Sequence, residues 1–321
     1  MVTANTLNNF LSKLKRLNRA STPYGKAPHK PVLLISIIDL IEQGLVTDNR
    51  IYVTPELVAM FQENWRLLVN TPHQPDFTQP FYYMQSEKID GEQIWFLQAK
   101  LGYQINAHIK SVVRLAEVLE YAYFSPTLYL LLSDSVSRNI IKTVLIDTYF
   151  PTTRQHYILS KEKGEGYIHD LENYLLNEPE AQYKTVKIES EEDLYVRGGM
   201  FKKLVPRVYD STCSFTGMRL ESTFGYNFID ACHIVPFSIS GDDKINNGIA
   251  LCPNLHRAFD RGLVSINSSY GILVSSQISE VEAHPYSLAQ LNERKIRLPF
   301  GPRYYPSQEN LEWHRENIFK G

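Results

Sequence analysis

Apolar residues in the N-terminal half of the chain recur mostly at the spacing of α-helices. Positions 7, 10, 11, 14 and 17 are apolar, which predicts an amphipathic helix with its lysines on the outer face. Residues 32–41 are apolar with few breaks and predict a buried helix that ends at Gly44. A hydroxyl side chain followed by proline is typical of a helix start, so Thr54 predicts the cap of a third helix over 55–68.

Two short aromatic runs predict a β-hairpin in the same half. PFYYMQ at 80–85 and QIWFL at 93–97 are separated by a turn signal at Asp90-Gly91. Helical patterns follow over 112–123 and 125–150, the second ending before a proline. These patterns predict the α+β class, with a mixed helical and β-hairpin domain in the N-terminal half.

Polar residues suited to chemistry are concentrated between positions 209 and 266. His233 ends a strand-like run, and Asn247 lies in a turn-prone Asn-Asn-Gly. His256 and Asp260 share one face if a helix begins at the preceding proline. An imidazole and a carboxylate at this spacing can bind one divalent ion, and a histidine beside the ion can take a proton from water.

This stretch resembles the HNH endonuclease motif, the ββα-metal finger, in its restriction-associated branch. The matching runs read ACHIVP and NGIALCPNLHRAFDRGL. The resemblance implies that His233 is the general base and that His256 is a metal ligand. It also implies that Asn247 braces the loop that aims the base, that Asp260 is the second ligand, and that the ion is Mg²⁺ or Mn²⁺.

One position departs from the usual pattern of this family. Many HNH sites carry a metal ligand immediately before the base, where this chain has Cys232. Side chains alternate along a strand, so Asp230 points to the same face as Cys232 in a strand over 226–234. We expect Asp230 to supply the missing carboxylate, and the alternative is that it is a solvated turn residue.

The cysteines argue against disulfides and against a structural zinc ion. There are three, Cys213, Cys232 and Cys252, and no apolar leader precedes them. Some HNH proteins bind zinc through two CxxC knuckles, but the corresponding places here hold one cysteine each. Tetrahedral zinc needs four ligands, so we predict no structural zinc. With no apolar run long enough to span a bilayer, the chain is predicted to be cytoplasmic.

The distribution of charge favours a nucleic-acid partner even though the formal net charge is −2. Residues 1–38 contain no acidic side chain, whereas 162–193 contain ten. A basic segment of this kind can meet a phosphate backbone. A solvated helix face is the alternative interpretation.

The N-terminal half also resembles a known module. KAPHKPVLLI, then His-x-Pro followed by Pro-Phe-Tyr-Tyr, then DTYFP are similar to the sulfur-binding domain of phosphorothioation-dependent, McrA-type restriction endonucleases. The resemblance covers about 1–155. It implies a pocket for sulfur in place of a phosphate oxygen, beside groups that hold phosphates or a base edge. The expected DNA-binding and sulfur-binding residues are Arg19, Lys26, His29, Lys30, His73, Pro80, Phe81 and Tyr82.

The chain is therefore predicted to be a two-domain, metal-dependent DNA endonuclease. Residues 1–155 would read phosphorothioated double-stranded DNA, 156–196 would be a linker, and 197–321 would form the HNH domain. Cutting both strands needs two active sites, which favours a homodimer. Two alternatives stay open: an HNH nuclease for methylated or other modified bases or without modification preference, and a DNA-binding protein with an inactive HNH fold.

Overall fold

The computed structural model describes residues 4–164, 166–176, 190–220, 227–280, 284 and 286–321. By compactness, the described residues divide into two units. The first holds residues up to 170 together with 190–196, and the second holds 171–176 and the residues from 197 onward. The predicted boundaries at 155 and 196 stay predictions, because 165 and 177–189 of the predicted linker lie outside the described residues.

The first unit is mainly helical, with short antiparallel strand pairs. Its helices are α1 (Ala4–Leu14), α2 (His29–Glu42), α3 (Pro55–Leu68), α4 (Thr78–Tyr83), α5 (Val112–Val118), α6 (Pro126–Ser133), α7 (Ser135–Tyr149) and α8 (Arg154–Lys163). Its strands are β1 (Ser21–Thr22), β2 (Gly25–Lys26), β3 (Lys88–Ile89), β4 (Glu92–Gln93), β5 (Trp95–Ala99) and β6 (Leu119–Phe124). Helices α9 (Tyr167–Leu175) and α10 (Glu191–Val208) each contain a boundary between the units.

Helix α2 forms the centre of the first unit. Its residues from His29 to Leu40 are all buried, and it packs against α3, α4, α6 and α7. A helix covered on every side needs no polar face, which explains why its apolar sequence is broken only by Ser36 and Asp39 between residues 32 and 41. The predicted buried helix is confirmed. Thr54 accepts a hydrogen bond from the backbone N–H of Leu57 at 3.2 Å, which confirms the predicted cap of α3.

The predicted strand over 80–85 is wrong. Asp76 accepts hydrogen bonds from the Gln79 backbone N–H at 3.0 Å and the Thr78 hydroxyl at 2.9 Å, and these bonds fix the first turn of α4. Proline has no N–H for a strand ladder but is accepted early in a helix, so Pro80 favours the helix. Strand β5 pairs instead with β6, in register from Trp95↔Phe124 to Ala99↔Leu119.

The helix predicted over 112–123 ends at Val118, and the next six residues form strand β6. Its sequence LEYAYF is rich in aromatic residues and buries Leu119, Ala122 and Phe124, a pattern typical of a half-buried strand. The helix predicted over 125–150 is interrupted at Asp134, which accepts a hydrogen bond from the Ser137 backbone N–H at 2.8 Å and so caps α7.

The second unit contains two short β-hairpins, with helices after the strands of the first hairpin and one helix after the second. Its elements, besides the end of α10, are β7 (Asp230–His233), α11 (Phe237–Ser240), β8 (Gly248–Leu251), α12 (Pro253–Asp260), β9 (Val264–Ile266), β10 (Ile272–Val274) and α13 (Gln308–Asn317). Tyr226, where the first strand was predicted to begin, lies outside the described residues. Strands β9 and β10 pair antiparallel as a hairpin, Ser307 accepts a hydrogen bond that caps α13, and the chain belongs to the predicted α+β class.

Close packing against α10 fixes the position of the first hairpin. Strands β7 and β8 pair antiparallel, with Asp230 opposite Leu251 and His233 opposite Gly248. A Cβ atom on Gly248 would lie 2.6 Å from Cγ2 of Val205 and 3.0 Å from the Phe201 ring. Only glycine allows this approach, which explains the glycine at this end of β8.

Candidate active site

His233 is held on two sides at the end of β7. Its ring stacks on Phe201 with centroids 3.8 Å apart and planes 6° from parallel. Its Nε2 lies 3.1 Å from Oδ1 of Asp243, and 24% of its side chain is exposed. A carboxylate oxygen accepts, so Nε2 carries the hydrogen and Nδ1 keeps a free lone pair. The arrangement provides an oriented imidazole with a basic nitrogen available.

Asp243 connects His233 to a buried arginine. Its side chain is 2% exposed, and its second oxygen, Oδ2, lies 3.5 Å from Nε of Arg197, which is 3% exposed. The Arg197 guanidinium also lies over the Tyr174 ring at 5.0 Å. The sequence reasoning missed Asp243, although it stands four residues before Asn247 in Gly-Asp-Asp-Lys.

Asn247 joins the segments on either side of the turn between β7 and β8. Its Oδ1 accepts from the Val235 N–H at 2.9 Å, while its Nδ2 donates to the Val235 carbonyl at 3.0 Å and the Asp242 carbonyl at 2.9 Å. Its backbone carbonyl accepts from the Ile234 N–H at 2.9 Å. The side chain is fully buried. These bonds restrain the segment directly after His233, as a loop brace would.

Cys232, His256 and Asp260 form the group of potential metal ligands among the described residues, with their ligand atoms within 4.8 Å of one another. His256 and Asp260 are one turn apart on α12, as predicted, and Nε2 of His256 lies 3.4 Å from Oδ2 of Asp260. The Cys232 Sγ–H donates to Oδ1 of Asp260 at 3.6 Å. Burial, together with the nearby Asp260 carboxylate, raises the pKa of Cys232 well above its ordinary value.

Asp230 contacts the same histidine from the other side. Its Oδ2 lies 3.1 Å from Nδ1 of His256. The alternation predicted for β7 therefore brings Asp230 to His256, although Asp230 does not belong to the group of three ligand atoms. The metal-binding role of Asp230 stays a prediction.

The donor set suits a divalent ion. The side chains of His256 and Asp260 are 28% and 56% exposed, so substrate and water can reach them. Imidazole and carboxylate are ligands that divalent ions share in catalytic sites. His233 directly follows Cys232 in the sequence. The Cα atom of the predicted base therefore lies about 3.8 Å from the Cα atom of one member of the ligand group.

Cys213 and Cys252 lie together outside this group. Cys213 is buried and Cys252 half-buried, and both thiols are free. The interaction between the two side chains lowers the pKa of Cys213 and raises that of Cys252. The prediction that no structural zinc is bound stays a prediction.

In the first unit, a cleft of about 400 Å³ brings together four of the predicted DNA-reading residues, Arg19, His29, Lys30 and Pro80. Its walls also include Ala20, Ala27 and Tyr83. Tyr83 is 49% exposed, and the sequence reasoning missed it. The signal in the sequence that could have found Tyr83 was its place in the aromatic run that follows Pro80.

The basic side chains of this cleft differ in how free they are. The Arg19 guanidinium lies 4.5 Å above the Tyr149 ring, while Lys30 is 7% exposed and forms an ion pair of 2.5 Å with the fully buried Glu87. His29 donates from Nε2 to the Gln74 carbonyl at 2.9 Å, and its buried Nδ1 has no hydrogen-bond partner among the described residues. Burial lowers the pKa of His29, which favours the neutral ring.

The remaining predicted reader residues lie elsewhere in the first unit. Phe81 is fully buried between Phe77 and Trp95, so its expected place on a pocket surface is wrong. On a helix, residues 81–83 point in different directions about 100° apart, and Phe81 takes the inward one. Tyr82 donates to the Asn106 carbonyl at 3.1 Å.

Two further reader residues lie near the β1–β2 hairpin. His73 is hydrogen-bonded to Thr22 at 2.7 Å, and its ring meets that of His29 edge-on at 6.2 Å. Lys26 is exposed and donates to the Ser21 hydroxyl at 2.7 Å. Their predicted contact with DNA stays a prediction.

Comparisons with known proteins agree with the geometry of the second unit. Residues 213–267 match the model of the HNH_2 family, described as HNH endonuclease. This segment contains His233, Asn247 and His256, and it forms an HNH endonuclease domain.

The similar proteins found are restriction enzymes. The chain is 28% identical over 127 residues to the type IV methyl-directed restriction enzyme EcoKMcrA of Escherichia coli (strain K12). The aligned segment covers 39% of this chain and 44% of that relative. The chain thus aligns with less than half of the curated relative's length. The modification-dependent TagI restriction endonuclease is 23% identical, with a TM-score of 0.31 over 41% of this chain and 44% of that one. A likeness at that TM-score supports no argument about function. None of the helices in the described part of the chain has the length and apolar character to cross a membrane.

Proposed function

We propose that this protein is a metal-dependent endonuclease that cuts modified double-stranded DNA. The observation that carries the proposal is the match of residues 213–267 to the HNH family model, together with the oriented His233 in that segment. The similarity to a type IV restriction enzyme supports a modification-dependent substrate. Cutting both strands needs two such sites, so we keep the homodimer as part of the proposal and the cytoplasm as the predicted location.

In the proposed reaction, His233 is the general base. Its Nδ1 takes a proton from the attacking water, while Asp243 holds the hydrogen on Nε2 and stabilises the charged ring that results. Phe201 keeps the ring in one plane, and Asn247 fixes the segment that follows it. His256 and Asp260 would hold a divalent ion, for which we keep Mg²⁺ or Mn²⁺, and such an ion would supply stabilisation of the charge on the phosphate and the leaving oxygen.

We further propose that the first unit reads a phosphorothioate through the cleft beside α2. A sulfur atom is larger, softer and less hydrated than an oxygen, so apolar walls favour it. Ala20, Ala27, Pro80 and Tyr83 provide such walls. Arg19 supplies the positive charge for the adjacent phosphates. We keep His29 as a proposed contact to a base edge in the major groove; its Nδ1 is unpartnered and buried, so this contact requires a local opening of the cleft. Lys30 stabilises the wall through Glu87 rather than meeting DNA.

A nuclease directed at methylated bases is the second candidate. The observation that favours it is the similarity to EcoKMcrA, which is described as methyl-directed. A reader of methylated bases would bind a duplex with a modified base and ignore backbone sulfur. The two candidates share the second unit and differ only in the reader.

A binding experiment distinguishes them. Full-length His233→Ala protein, which holds DNA without cutting it, is titrated at one fixed salt concentration with three matched duplexes. They carry one phosphorothioate, one methylated cytosine, or no modification. We expect preference for the sulfur duplex, lost in Tyr83→Ala and kept in Tyr103→Ala, the matched control, which removes an exposed tyrosine outside the cleft. Preference for the methylated duplex would establish the second candidate, and equal binding would refute modification dependence.

A further inference from the structure

We propose that Cys232, whose thiol proton is released to solvent when the ion binds, is a thiolate ligand of the nuclease metal ion, together with Nε2 of His256 and a carboxylate oxygen of Asp260. This inference rests on the metal-dependent site of the proposed function and specifies its ligands. It gives the site a sulfur ligand where the sequence prediction placed a second carboxylate, that of Asp230, as the third ligand.

The distances within the group match those around a small divalent ion. Metal–sulfur bonds of about 2.3 Å and metal–nitrogen or metal–oxygen bonds of about 2.0–2.1 Å in a tetrahedron place sulfur about 3.6 Å from oxygen, and nitrogen about 3.3 Å from oxygen. Sγ of Cys232 lies 3.6 Å from Oδ1 of Asp260, and Nε2 of His256 lies 3.4 Å from Oδ2 of the same carboxylate. Small adjustments of one side chain, Asp260, would complete the three corners.

The backbone holds the sulfur at this place. Cys232 is paired with Ile249 in the β7–β8 ladder, and its side chain is fully buried. A cysteine that served only as a small apolar residue would have no need of a polar contact. The Cys232 thiol instead contacts the Asp260 carboxylate, and Cys232 stands directly before the predicted base, His233. The sulfur is therefore presented by strand β7, and the other two ligands are presented by helix α12.

Asp230 has a different role in this arrangement. It accepts from Nδ1–H of His256 at 3.1 Å, which leaves the lone pair of Nε2 free on the side of Asp260. Metal-binding histidines commonly donate their other ring nitrogen to a carboxylate, which fixes both tautomer and orientation. We assign Asp230 to this positioning role, with Cys232 in the ligand place.

The ligand set has a consequence for the choice of metal. Three protein ligands leave the fourth position open for water or a phosphate oxygen, as in catalytic zinc sites. Thiolate and imidazole together favour Zn²⁺, Co²⁺ or Ni²⁺, whereas Mg²⁺ favours oxygen ligands. We therefore expect the site to bind these borderline ions more tightly than Mg²⁺.

The test uses Co²⁺ as a spectroscopic probe of the full-length, metal-free protein. A cobalt–thiolate bond gives a charge-transfer band in the near ultraviolet that nitrogen and oxygen ligands do not give. We expect this band in the wild type and in Cys252→Ser, the matched control whose thiol lies outside the group. In Cys232→Ser the band should disappear, and Co²⁺ affinity should fall by at least about 10–100-fold, the loss seen even for partners outside the ligand shell.

Each outcome decides the inference. Wild-type protein that binds Co²⁺ without the band, or a band that persists in Cys232→Ser, would overturn it while leaving the metal-dependent nuclease in place. A protein that binds no divalent ion at all would overturn both. If Cys232→Ser does not fold, X-ray absorption of the zinc-loaded wild type decides, because one sulfur neighbour at about 2.3 Å is expected and its absence refutes the assignment.

Discussion

Replacing Asp243 with asparagine tests whether the buried carboxylate orients His233. The substitution preserves size but replaces an oxygen that can only accept with an amide that can also donate. The Nε2–Oδ1 contact of 3.1 Å would no longer select the tautomer with a free Nδ1. The imidazole would then spend part of its time with its basic nitrogen on the wrong side.

The size of the effect follows from the bond that is lost. A hydrogen bond to a charged group contributes about 1.5–3 kcal/mol, and about 1.4 kcal/mol corresponds to a tenfold change in rate. We expect Asp243→Asn to lower the cleavage rate by about 10–100-fold, since 3.1 Å is longer than the strongest charged bonds. The upper bound is the loss in His233→Ala, about 10²–10⁴-fold for removal of a general base.

The assay is single-turnover cleavage of a modified duplex, measured beside DNA affinity and thermal unfolding. Affinity should stay unchanged, because Asp243 is 2% exposed and cannot reach DNA. Unfolding must be measured because Arg197 would lose its buried partner, a change that destabilises by up to about 3–5 kcal/mol. Asp242→Asn is the matched control, since its side chain accepts from the Lys244 N–H and does not touch His233.

Nitrogen-15 NMR of the histidine rings provides an independent readout. The wild-type His233 ring should carry its hydrogen on Nε2, and the Asp243→Asn ring should show a mixture of tautomers. A folded Asp243→Asn protein that cuts at the wild-type rate with an unchanged tautomer would refute the orienting role.

Three further predictions concern stability. Gly248→Ala should destabilise the folded protein by about 1–3 kcal/mol through overpacking, because the new Cβ would lie 2.6 Å from a neighbouring methyl group. The control is Gly198→Ala on helix α10, where a Cβ meets open space, and it should stabilise the protein by about 0.5–1 kcal/mol. Equal melting temperatures of the two variants would contradict the overpacking argument. Glu87→Gln should lower the free energy of unfolding, measured in urea, by about 3–5 kcal/mol, because it leaves Lys30 charged and buried. Joint replacement of Lys30 and Glu87 with apolar residues should recover most of this loss. An additive loss in the double variant would argue against a stabilising ion pair between them. Burial lowers the pKa of His314 in the folded protein to about 4. Below the ordinary histidine pKa of about 6.5 the unfolded chain therefore binds more protons than the folded one, and the free energy of unfolding should fall by about 3 kcal/mol as pH decreases from about 6.5 to 4. His314→Gln should flatten this pH dependence, and an unchanged pH profile in the variant would refute the prediction.

Local signals in the sequence predicted the elements that local interactions decide. The Thr54 hydroxyl before a proline predicted the start of α3, and the mostly apolar run over 32–41 predicted the buried α2, because capping and burial are visible in neighbouring residues. His256 and Asp260 were predicted on one helical face by their spacing alone. The structure confirms all three.

The differences arise where distant partners decide the outcome. Residues 81–83 are aromatic and suited to a strand, but the hydrogen bonds that Asp76 accepts from Thr78 and Gln79 fix a helical turn there. The strand β6 depends on pairing with β5, which the helical spacing over 112–123 does not reveal. In the site, Asp243 is recognisable only once the fold brings it to His233. The sequence places Cys232 directly before the predicted base, but only the fold brings Asp260 to its sulfur.

The central claim is that the His233 site performs metal-dependent cleavage of modified DNA. The most direct measurement is single-turnover cleavage of the phosphorothioate, methylated and unmodified duplexes by the full-length protein, with and without a divalent ion, for the wild type and His233→Ala. We predict cleavage of modified duplex by the wild type only when the ion is present, and none by His233→Ala despite equal binding. Equal cutting by both proteins, or cutting that ignores the ion, would contradict the account.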